Sequence, residues 1–432
     1  MVSKQYLIKK INNSSSYLDL GHINITDKGC VYLSEALKGN NKITKLDLRN
    51  NNNISDKGIK YISEVLKENN TITKLNLGNN NINDEGCKYI SEALKVNKTI
   101  TNLHLDLNYI SDKGCVYLSE ALKGNNTITK LNLRDNNIGN KGCEYISNIL
   151  KVNNTITEID LGINKIDDIG CEYLSEALKV NNMITKLNLW KNEISGEGCK
   201  YISEALKVNK SITELDLWEN NISDKGCEYI SEALKVNNTI TNIDLWRNNI
   251  SDEGCKYISE ALKVNKSLTV LNLGSNKIDD KGCKYISEAL KINNKIINLN
   301  LSINKISDKG CEYIIEALKF NNKIINLNLY VNKISDVGCE YINEALEVNK
   351  KLNTCDYYEN VEQTMCEELL TNYHMKIIKY FANKINYDIK EIIKNKNKIY
   401  YMSKNIGMYN AERKFIISNE ELKNNKLKIM CE

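Results

Sequence analysis

Residues 184–209, ITKLNLWKNEISGEGCKYISEALKVN, recur in closely similar form from residue 17 to residue 350. A glycine marks the repeat, because successive copies stand 28 residues apart from Gly58 to Gly338, and Gly29 precedes Gly58 by 29. Twelve units result, covering about three-quarters of the chain. A fixed period of about 20–50 residues is typical of a solenoid, in which each unit packs mainly on its neighbours.

The first half of each unit predicts a short β-strand with one buried face. Leu187 and Leu189 alternate with polar residues, which is the period of such a strand. Asn192 follows where the chain must turn, and its amide can bond backbone groups that the turn leaves unpaired. Nine other units carry the same residue, so we expect a ladder of bonded turns: Asn80, Asn108, Asn136, Asn164, Asn220, Asn248, Asn276, Asn304 and Asn332. The first unit has Ile23 there, and an extra residue within 50–53 leaves the second unit without an assignment.

The second half of each unit predicts a helix. Gly198, Cys199, Ile202, Ala205 and Leu206 form one apolar stripe at helical spacing. A Ser, Thr, Asn or Asp precedes most of the helices as an expected N-cap, except in the unit with Gly139. The aspartate that often follows this cap suits the positive end of its own helix dipole. Opposite charges three residues apart mark the solvent face: Glu85/Lys88, Lys141/Glu144, Glu197/Lys200, Lys225/Glu228, Glu253/Lys256 and Lys309/Glu312.

This pattern resembles the leucine-rich-repeat family, and its period and helix are most similar to the ribonuclease-inhibitor-like subfamily. That subfamily includes the repeats of NOD-like receptors and of Ran GTPase-activating proteins. The resemblance covers residues 17–352 and implies an α/β horseshoe solenoid, with a parallel sheet on the concave side and helices on the convex side. It implies much less about function, which depends on the variable positions.

The chain outside the repeats predicts an end segment on each side. We expect residues 1–16 to form an N-terminal cap, with Leu7, Ile8 and Ile11 on a short helix that covers the first unit. Residues 353–432 form a mainly helical, basic extension. Apolar residues recur every four positions from Val361 to Phe381, which predicts an amphipathic helix that caps the last unit.

Composition and cysteine usage favour a cytoplasmic protein. The formal net charge is only +4, and no apolar segment is long enough for a membrane span or has the form of a secretory signal. Eleven of the 14 cysteines occupy one repeat position. Neighbouring helices lie about 8–10 Å apart, whereas a disulfide needs Cα atoms within about 7 Å. We therefore expect a column of reduced, buried thiols, as suits the reducing cytosol.

All three tryptophans of the chain stand in one concave column of three successive units, at Trp190, Trp218 and Trp246. Adjacent strands lie about 4.8 Å apart, so we expect the indoles to form one exposed stripe. Exposed tryptophan beside charge is typical of an interface hot spot. The charged residues expected around it are Lys186, Lys191, Glu219, Arg247, Glu214, Asp216 and Asp244. Duplication of one harmless tryptophan is the alternative explanation.

A weaker second patch is predicted from Ile303, Tyr330 and Val331 near the end of the array. No cysteine or histidine spacing suggests a metal site, and no catalytic or phosphate-binding motif is present, so we expect no cofactor, no metal and no small-molecule substrate. His22 and His104 are interpreted as surface histidines.

The sequence therefore predicts a non-catalytic scaffold that binds a partner protein on its concave sheet. A GTPase-activating regulator of a small GTPase is the first alternative, although such proteins usually carry an acidic stretch after the repeats and this chain carries a basic one. Nucleic-acid or anionic-surface binding through residues 376–428 is the second, and the near-balanced charge of the whole chain does not favour it.

Overall fold

The computed structural model of the 432-residue chain describes residues 2–349, 352 and 354–356. Strands and helices alternate along all of it, and the strands form one parallel sheet in chain order. The expected leucine-rich-repeat horseshoe solenoid of twelve strand–helix units is confirmed. The predicted helical extension, including the helix from Val361 to Phe381, lies outside the described residues.

Each strand is three residues long, and strands β1–β13 are Tyr17–Asp19, Lys45–Asp47, Lys74–Asn76, Asn102–His104, Lys130–Asn132, Glu158–Asp160, Lys186–Asn188, Glu214–Asp216, Asn242–Asp244, Val270–Asn272, Asn298–Asn300, Asn326–Asn328 and Thr354–Asp356. Helices α1–α13 are Lys4–Asn13, Asp27–Leu37, Asp56–Glu68, Asp84–Val96, Asp112–Leu122, Asn140–Leu150, Asp168–Leu178, Gly196–Val208, Ser223–Val236, Asp252–Val264, Asp280–Leu290, Asp308–Phe320 and Asp336–Val348. The last strand extends the sheet beyond residue 352, where we expected the solenoid to end.

The core runs between sheet and helices along the whole array. Leu187 and Leu189 are buried from the strand side, and Cys199, Ile202 and Leu206 from the helix side, as the two periodicities predicted. The eleven repeat-column cysteines are all buried and free of disulfides, as expected. On the opposite face of the helices, all six predicted ion pairs form, with N–O distances of 2.7–3.5 Å.

The expected asparagine ladder holds the turns after the strands. Asn192 donates from Nδ2 to the carbonyls of Leu189 in its own unit and Leu161 in the unit before, both at 3.0 Å. Its Oδ1 accepts from the backbone N–H of Ile166 at 3.1 Å. In the second unit the same place is taken by Asn51, whose Oδ1 accepts from Ile25 N–H at 2.7 Å. The extra residue of that unit therefore follows the ladder position.

A second asparagine ladder, which we did not predict, runs along the C-terminal ends of the helices. Asn209 ends α8 and donates to the carbonyls of Leu178 and Asn181, both at 2.8 Å, while its Oδ1 accepts from the N–H groups of Ser211 and Ile212. Carbonyls at a helix C-terminus lack partners within the helix, and these amides supply them. The equivalent residues are Asn69, Asn97, Asn125, Asn153, Asn181, Asn237, Asn265, Asn293, Asn321 and Asn349.

The aspartates at the helix N-termini act across units, and our expectation that each serves its own helix was incomplete. Asp168, the first residue of α7, accepts at Oδ1 from the N–H groups of Ser195 and Gly198, both at 2.8 Å, and at Oδ2 from the Ser195 hydroxyl at 2.6 Å. It therefore caps α8, the helix of the next unit. Most other units repeat this bond, through Asp27, Asp56, Asp84, Asp112, Asn140, Asp224, Asp252, Asp280 and Asp308.

Gly196 interrupts this series because it has no side chain to accept the bonds. The helix that follows, α9, begins without a side-chain cap, and Ser223 adopts a positive φ of 58° and donates its N–H to the Asn248 carbonyl. The predicted N-cap is therefore wrong in this unit. The physical reason lies in the preceding unit, whose missing carboxylate leaves nothing to hold Ser223 in the extended conformation.

At the N-terminal end, α1 contacts α2 through its buried side. Leu7 and Ile11 are buried, and an ion pair joins Lys4 to Glu35 at 2.7 Å. Ile8, which we expected on the same buried side, is 39% exposed. It lies one residue from Leu7, about 100° around the helix, and so faces solvent.

A candidate partner-binding surface on the concave sheet

The strands place four columns of side chains on the concave face. In the seventh unit these are Lys186, Asn188, Trp190 and Lys191, separated by the buried leucines of the strand. The fourth column has a left-handed backbone in every unit from the first to the twelfth, with φ between 50° and 60°. This turn sends the fourth side chain away from the strand direction, so Lys191, Glu219 and Arg247 lie at the rim of the face.

The three tryptophans are half-buried, and the expectation that they would be exposed is wrong. Trp190 and Trp218 stack with ring centroids 4.8 Å apart and an interplanar angle of 11°. The centroid distance equals the spacing of neighbouring strands, so the backbone sets the stack directly. Within this pair each indole covers part of the other, which explains their partial burial.

Two glycines decide where the outer indoles lie. A Cβ at Gly162 would come within 2.3 Å of Trp190, and a Cβ at Gly274 within 2.4 Å of Trp246. Trp190 thus leans toward the preceding unit, and Trp246 leans toward the following one. The single stripe that we expected is instead a stacked pair, Trp190 and Trp218, with Trp246 turned away from it.

Arg134 extends the aromatic pair, and sequence reasoning missed this contact. Its guanidinium lies 5.9 Å from the centre of the Trp190 ring, although the two residues belong to units that are not adjacent. The unit between them carries Gly162 in the same column, which leaves the space open. Gly162 was the feature of the sequence that could have predicted this contact, because a larger side chain at that position would separate Arg134 from Trp190. Arg134 also lies 4.0 Å from the carboxylate of Asp106.

Carboxylates lie in the column beside the indoles, at Asp160, Asp216 and Asp244. Each is half-buried and accepts the N–H of the residue two positions on, which for Asp216 is Trp218 at 3.0 Å and for Asp244 is Trp246 at 2.9 Å. Burial raises the pKa of Asp216 to about 7, against the lowering effect of the Trp218 N–H, and the charges of Asp244 and Asp160 add to the rise. Burial also raises the pKa values of Asp160 and Asp244.

Ion pairs lie at the edges of this surface. Lys186 binds Glu214 at 2.8 Å, and Arg247 binds Glu219 at 3.0 Å. Lys191 is exposed. Among the described residues, no lysine or arginine forms an ion pair with Asp216 or Asp244. The predicted charged residues therefore divide into two ion pairs at the edges, the exposed Lys191, and an acidic pair beside the indoles without a basic partner in the described part of the chain.

The second predicted patch is brought together in part. Ile303 is 39% exposed and donates its N–H to the Tyr330 carbonyl at 2.7 Å in the next unit. Tyr330 and Val331 are half-buried. Ile303 and Val331 both occupy the left-handed column, with φ of 53° and 51°. None of the three residues of this patch carries a charge at neutral pH.

The two concave histidines lie in separate surroundings. His22 contacts the Asn50 amide at 2.7 Å, and His104 lies 3.8 Å from Asp106. Within the part of the chain that the structure describes, no three His, Cys, Asp or Glu side chains are grouped to hold a metal ion. In the same residues no helix combines the length and the apolar character that crossing a membrane requires.

Comparison with known proteins identifies the class. Residues 30–164 match the family model described as TMOD/LMOD Leucine-rich domain. The model described as Leucine Rich repeat matches residues 180–203, 208–231, 236–259, 264–287 and 293–314. The two models together cover more than half of the chain, which is a leucine-rich-repeat protein. The assignment to the ribonuclease-inhibitor-like subfamily stays a prediction.

Two solved structures show how far the similarity extends. An internalin from Listeria monocytogenes strain 4b F2365 matches over 82% of this chain and 89% of its own, with 21% identity and a TM-score of 0.48. A structure described as Leiomodin-1 Actin-Binding Site 2 matches over 34% of this chain and 87% of its own, with 26% identity and a TM-score of 0.30. No curated protein matches the chain.

Proposed function

We propose that this protein is a non-catalytic scaffold that binds a partner protein on its concave sheet, through the surface around Trp190, Trp218 and Trp246. The observation that carries the proposal is the stacked pair of half-buried indoles on a sheet face whose other positions are mostly polar residues or glycine. Tryptophan and arginine are enriched among the residues that dominate binding energy at protein interfaces. Here Trp190, Trp218 and Arg134 form one continuous contact.

The fold explains why the tryptophans are not required for the scaffold. In the same column other units hold glycine, serine, aspartate, arginine or tyrosine, and their strands pair in the same register. From the second unit to the twelfth, the turn after the strand carries a ladder asparagine, which bonds backbone groups only. The match of residues 30–164 to the TMOD/LMOD Leucine-rich domain supports a protein-binding role, because stacked repeats of this kind present an extended sheet face on which a partner can bind.

The test is binding by variants of the full chain. Affinity capture from native lysate identifies a partner, and its affinity is then measured for purified variants. Trp218→Ala should keep the fold and weaken binding about thirtyfold, since a hot-spot truncation costs about 2 kcal/mol or more. Tyr109→Ala is the matched control, because Tyr109 is a 58% exposed aromatic residue outside this surface. Unchanged affinity in the triple Trp→Ala variant would show that the tryptophans arose by duplication alone.

Arg134→Ala should weaken partner binding more than the position of Arg134 along the chain suggests. Arg134 belongs to a unit three removed from that of Trp218, which by itself predicts a small effect. Its contact with Trp190 predicts a clear loss instead, because the guanidinium fixes one end of the indole stack. Arg247→Ala should have the smaller effect, since Arg247 lies at the exposed rim and pairs with Glu219.

The GTPase alternative is separated from scaffold binding by one assay. The protein is added to a panel of small GTPases, and GTP hydrolysis is followed with and without it. The nucleic-acid alternative depends on residues 376–428, which lie outside the described residues, and salt-dependent retention on heparin tests it. The cytoplasmic location expected from the sequence stays a prediction.

A further inference from the structure

The tryptophan surface carries an excess of acidic residues, which binding to an arbitrary protein would not require. In units six to nine, the first and second columns of the concave face hold five acidic residues and one lysine: Glu158, Asp160, Glu214, Asp216, Asp244 and Lys186. The whole chain, by contrast, carries a formal net charge of +4. Glu158 and Glu214 are compensated by Lys130 and Lys186, at 2.7 and 2.8 Å. The uncompensated charge therefore lies on the half-buried aspartates.

The charge on these aspartates is not needed for the fold. The structural task at this position is to accept the N–H of the residue two positions on, and Asn188 does so for Trp190 at 3.1 Å with no charge. Asn272 does the same for Gly274. Asp216 performs this task with a carboxylate that burial and its acidic neighbours make costly to ionise. A partner that brought a positive charge would relieve that cost.

The geometry places an acidic pair, Asp216 and Asp244, beside the point where the indoles of Trp218 and Trp246 diverge. Asp216 and Asp244 are direct register partners on β8 and β9. Trp218 stacks on Trp190 on one side, and Trp246 leans toward Gly274 on the other. Asp244 is partly satisfied by the Asn272 amide at 2.8 Å, whereas the hydrogen bond that Asp216 accepts is the backbone one. The indole N–H of Trp218 is buried without a partner in the described residues.

The chain itself shows which cation suits the indoles. Arg134 already lies over the Trp190 ring with its guanidinium. A planar guanidinium can stack on an aromatic face and bond a carboxylate at the same time, which a lysine ammonium does less well. Resting on the proposed function, we propose that this surface binds an arginine-containing basic segment of the partner protein, with a guanidinium beside the indoles and over Asp216 and Asp244.

The experiment uses the full chain and its own fluorescence. Trp190, Trp218 and Trp246 are the only tryptophans in the sequence, so tryptophan emission, excited selectively over the tyrosines, reports on this surface alone. The probe is an eight-residue peptide of alternating glycine and arginine, compared with peptides in which lysine, glutamate or leucine replaces arginine. We expect a saturable change in emission with the arginine peptide, a weaker one with lysine, and none with glutamate or leucine.

The double variant Asp216→Asn with Asp244→Asn should lower the affinity for the arginine peptide about tenfold or more, because a charge-assisted contact is lost. The side chains at both positions can still accept the backbone N–H groups of Trp218 and Trp246. Asp19→Asn is the matched control, since Asp19 occupies the same column in the first unit and makes the same bond, to Gly21 at 3.0 Å. Equal binding of the double variant would overturn the proposal, as would stronger binding of the leucine or glutamate peptide. Concentration-dependent self-association that blocks the peptide would point to a second copy of the chain as the occupant and would also overturn it.

The two proposals fail in different ways. If the Trp→Ala variants lose the captured partner while Asp216→Asn with Asp244→Asn keeps it, and the arginine peptide does not compete, partner binding on this face stands and the basic-segment inference is wrong. If neither set of variants changes capture of the partner, both proposals are wrong.

Discussion

The carboxylate of Asp224 accepts a hydrogen bond from the hydroxyl of Ser251, 2.6 Å away and one unit further along the chain. It also accepts from the N–H groups of Ser251 and Gly254, at 2.7 and 3.0 Å. One side chain therefore satisfies the start of the neighbouring helix, where backbone N–H groups lack partners within the helix. The repeats are joined by such bonds as well as by apolar packing.

Asp224→Ala should destabilise the protein by about 1–3 kcal/mol, because it leaves partly buried donors of the next helix without an acceptor. Thermal unfolding measures the effect as a lower Tm. Asp224→Asn is the matched control and should cost less, since Asn140 holds the equivalent place in another unit and accepts from Gly170 N–H at 3.1 Å. Equal Tm values for the alanine variant and the unmodified protein would contradict this role.

Gly196→Asp should stabilise the protein, because it restores the acceptor that this unit lacks. We expect Ser223 to leave its positive φ and to cap α9 as the equivalent serines do, with a gain of about 1 kcal/mol. Differential scanning calorimetry gives the Tm. Gly196→Ala is the control, since it adds a side chain without an acceptor and should not reproduce the gain. A lower Tm for Gly196→Asp would show that the Cβ, 3.2 Å from the Gly226 nitrogen, cannot be accommodated.

Ile303→Asn should also stabilise the solenoid. A left-handed backbone costs an ordinary residue about 1–2 kcal/mol, and a β-branched residue fits it poorly, whereas asparagine tolerates it. Asn50 and Asn79 occupy the same column with φ of 56° and 52°. The Tm should rise for Ile303→Asn but not for Ile297→Asn, a similarly exposed isoleucine whose backbone is not left-handed. A fall in Tm would mean that the Ile303 side chain contributes more by packing than its backbone costs.

Asp216→Asn should stabilise the protein at pH 8 and have little effect near pH 4. Burial raises the folded pKa of Asp216 to about 7, and Asp244 and Asp160 add to the rise, whereas the unfolded value is about 4. The folded state therefore holds the proton more tightly, and its stability falls as pH rises from about 4 to 7. Asparagine removes this loss, worth about 1–2 kcal/mol for a half-buried group. Urea unfolding at pH 4, 6 and 8 tests it, with Asp19→Asn as the control; a pH-independent difference would contradict the mechanism.

The eleven repeat-column thiols should be unreactive in the native protein and react after unfolding. They are buried, and burial raises the pKa of Cys30 to about 12, so almost no thiolate is present at neutral pH. Counting with a chromogenic thiol reagent before and after guanidinium measures both states. The remaining three cysteines, Cys355, Cys366 and Cys431, provide the internal reference. Disulfides between cysteines of the column would contradict this prediction, and also the expected spacing of neighbouring helices.

Several features follow from sequence alone because they depend on local periodicity repeated many times. The alternation of Leu187 and Leu189 predicts the strand, the spacing from Gly198 to Leu206 predicts the helix, and the regular period predicts that each strand pairs with its neighbour. Asn192 is recognisable because a side-chain amide at a turn can bond only the backbone around it. These features need no knowledge of how one unit lies on the next.

Other features were decided only by the tertiary structure, since they join residues of different units. Asp168 caps a helix that begins 28 residues later, and nothing at Asp168 itself indicates which helix N-terminus it faces. Trp190 leans over Gly162 and meets Arg134, so a glycine in one unit decides the contact between its two neighbours. The sequence determined the repeating unit through its own periodicity. The stacking of those units determined which side chains share a surface, because contacts between units depend on the space that each neighbour leaves.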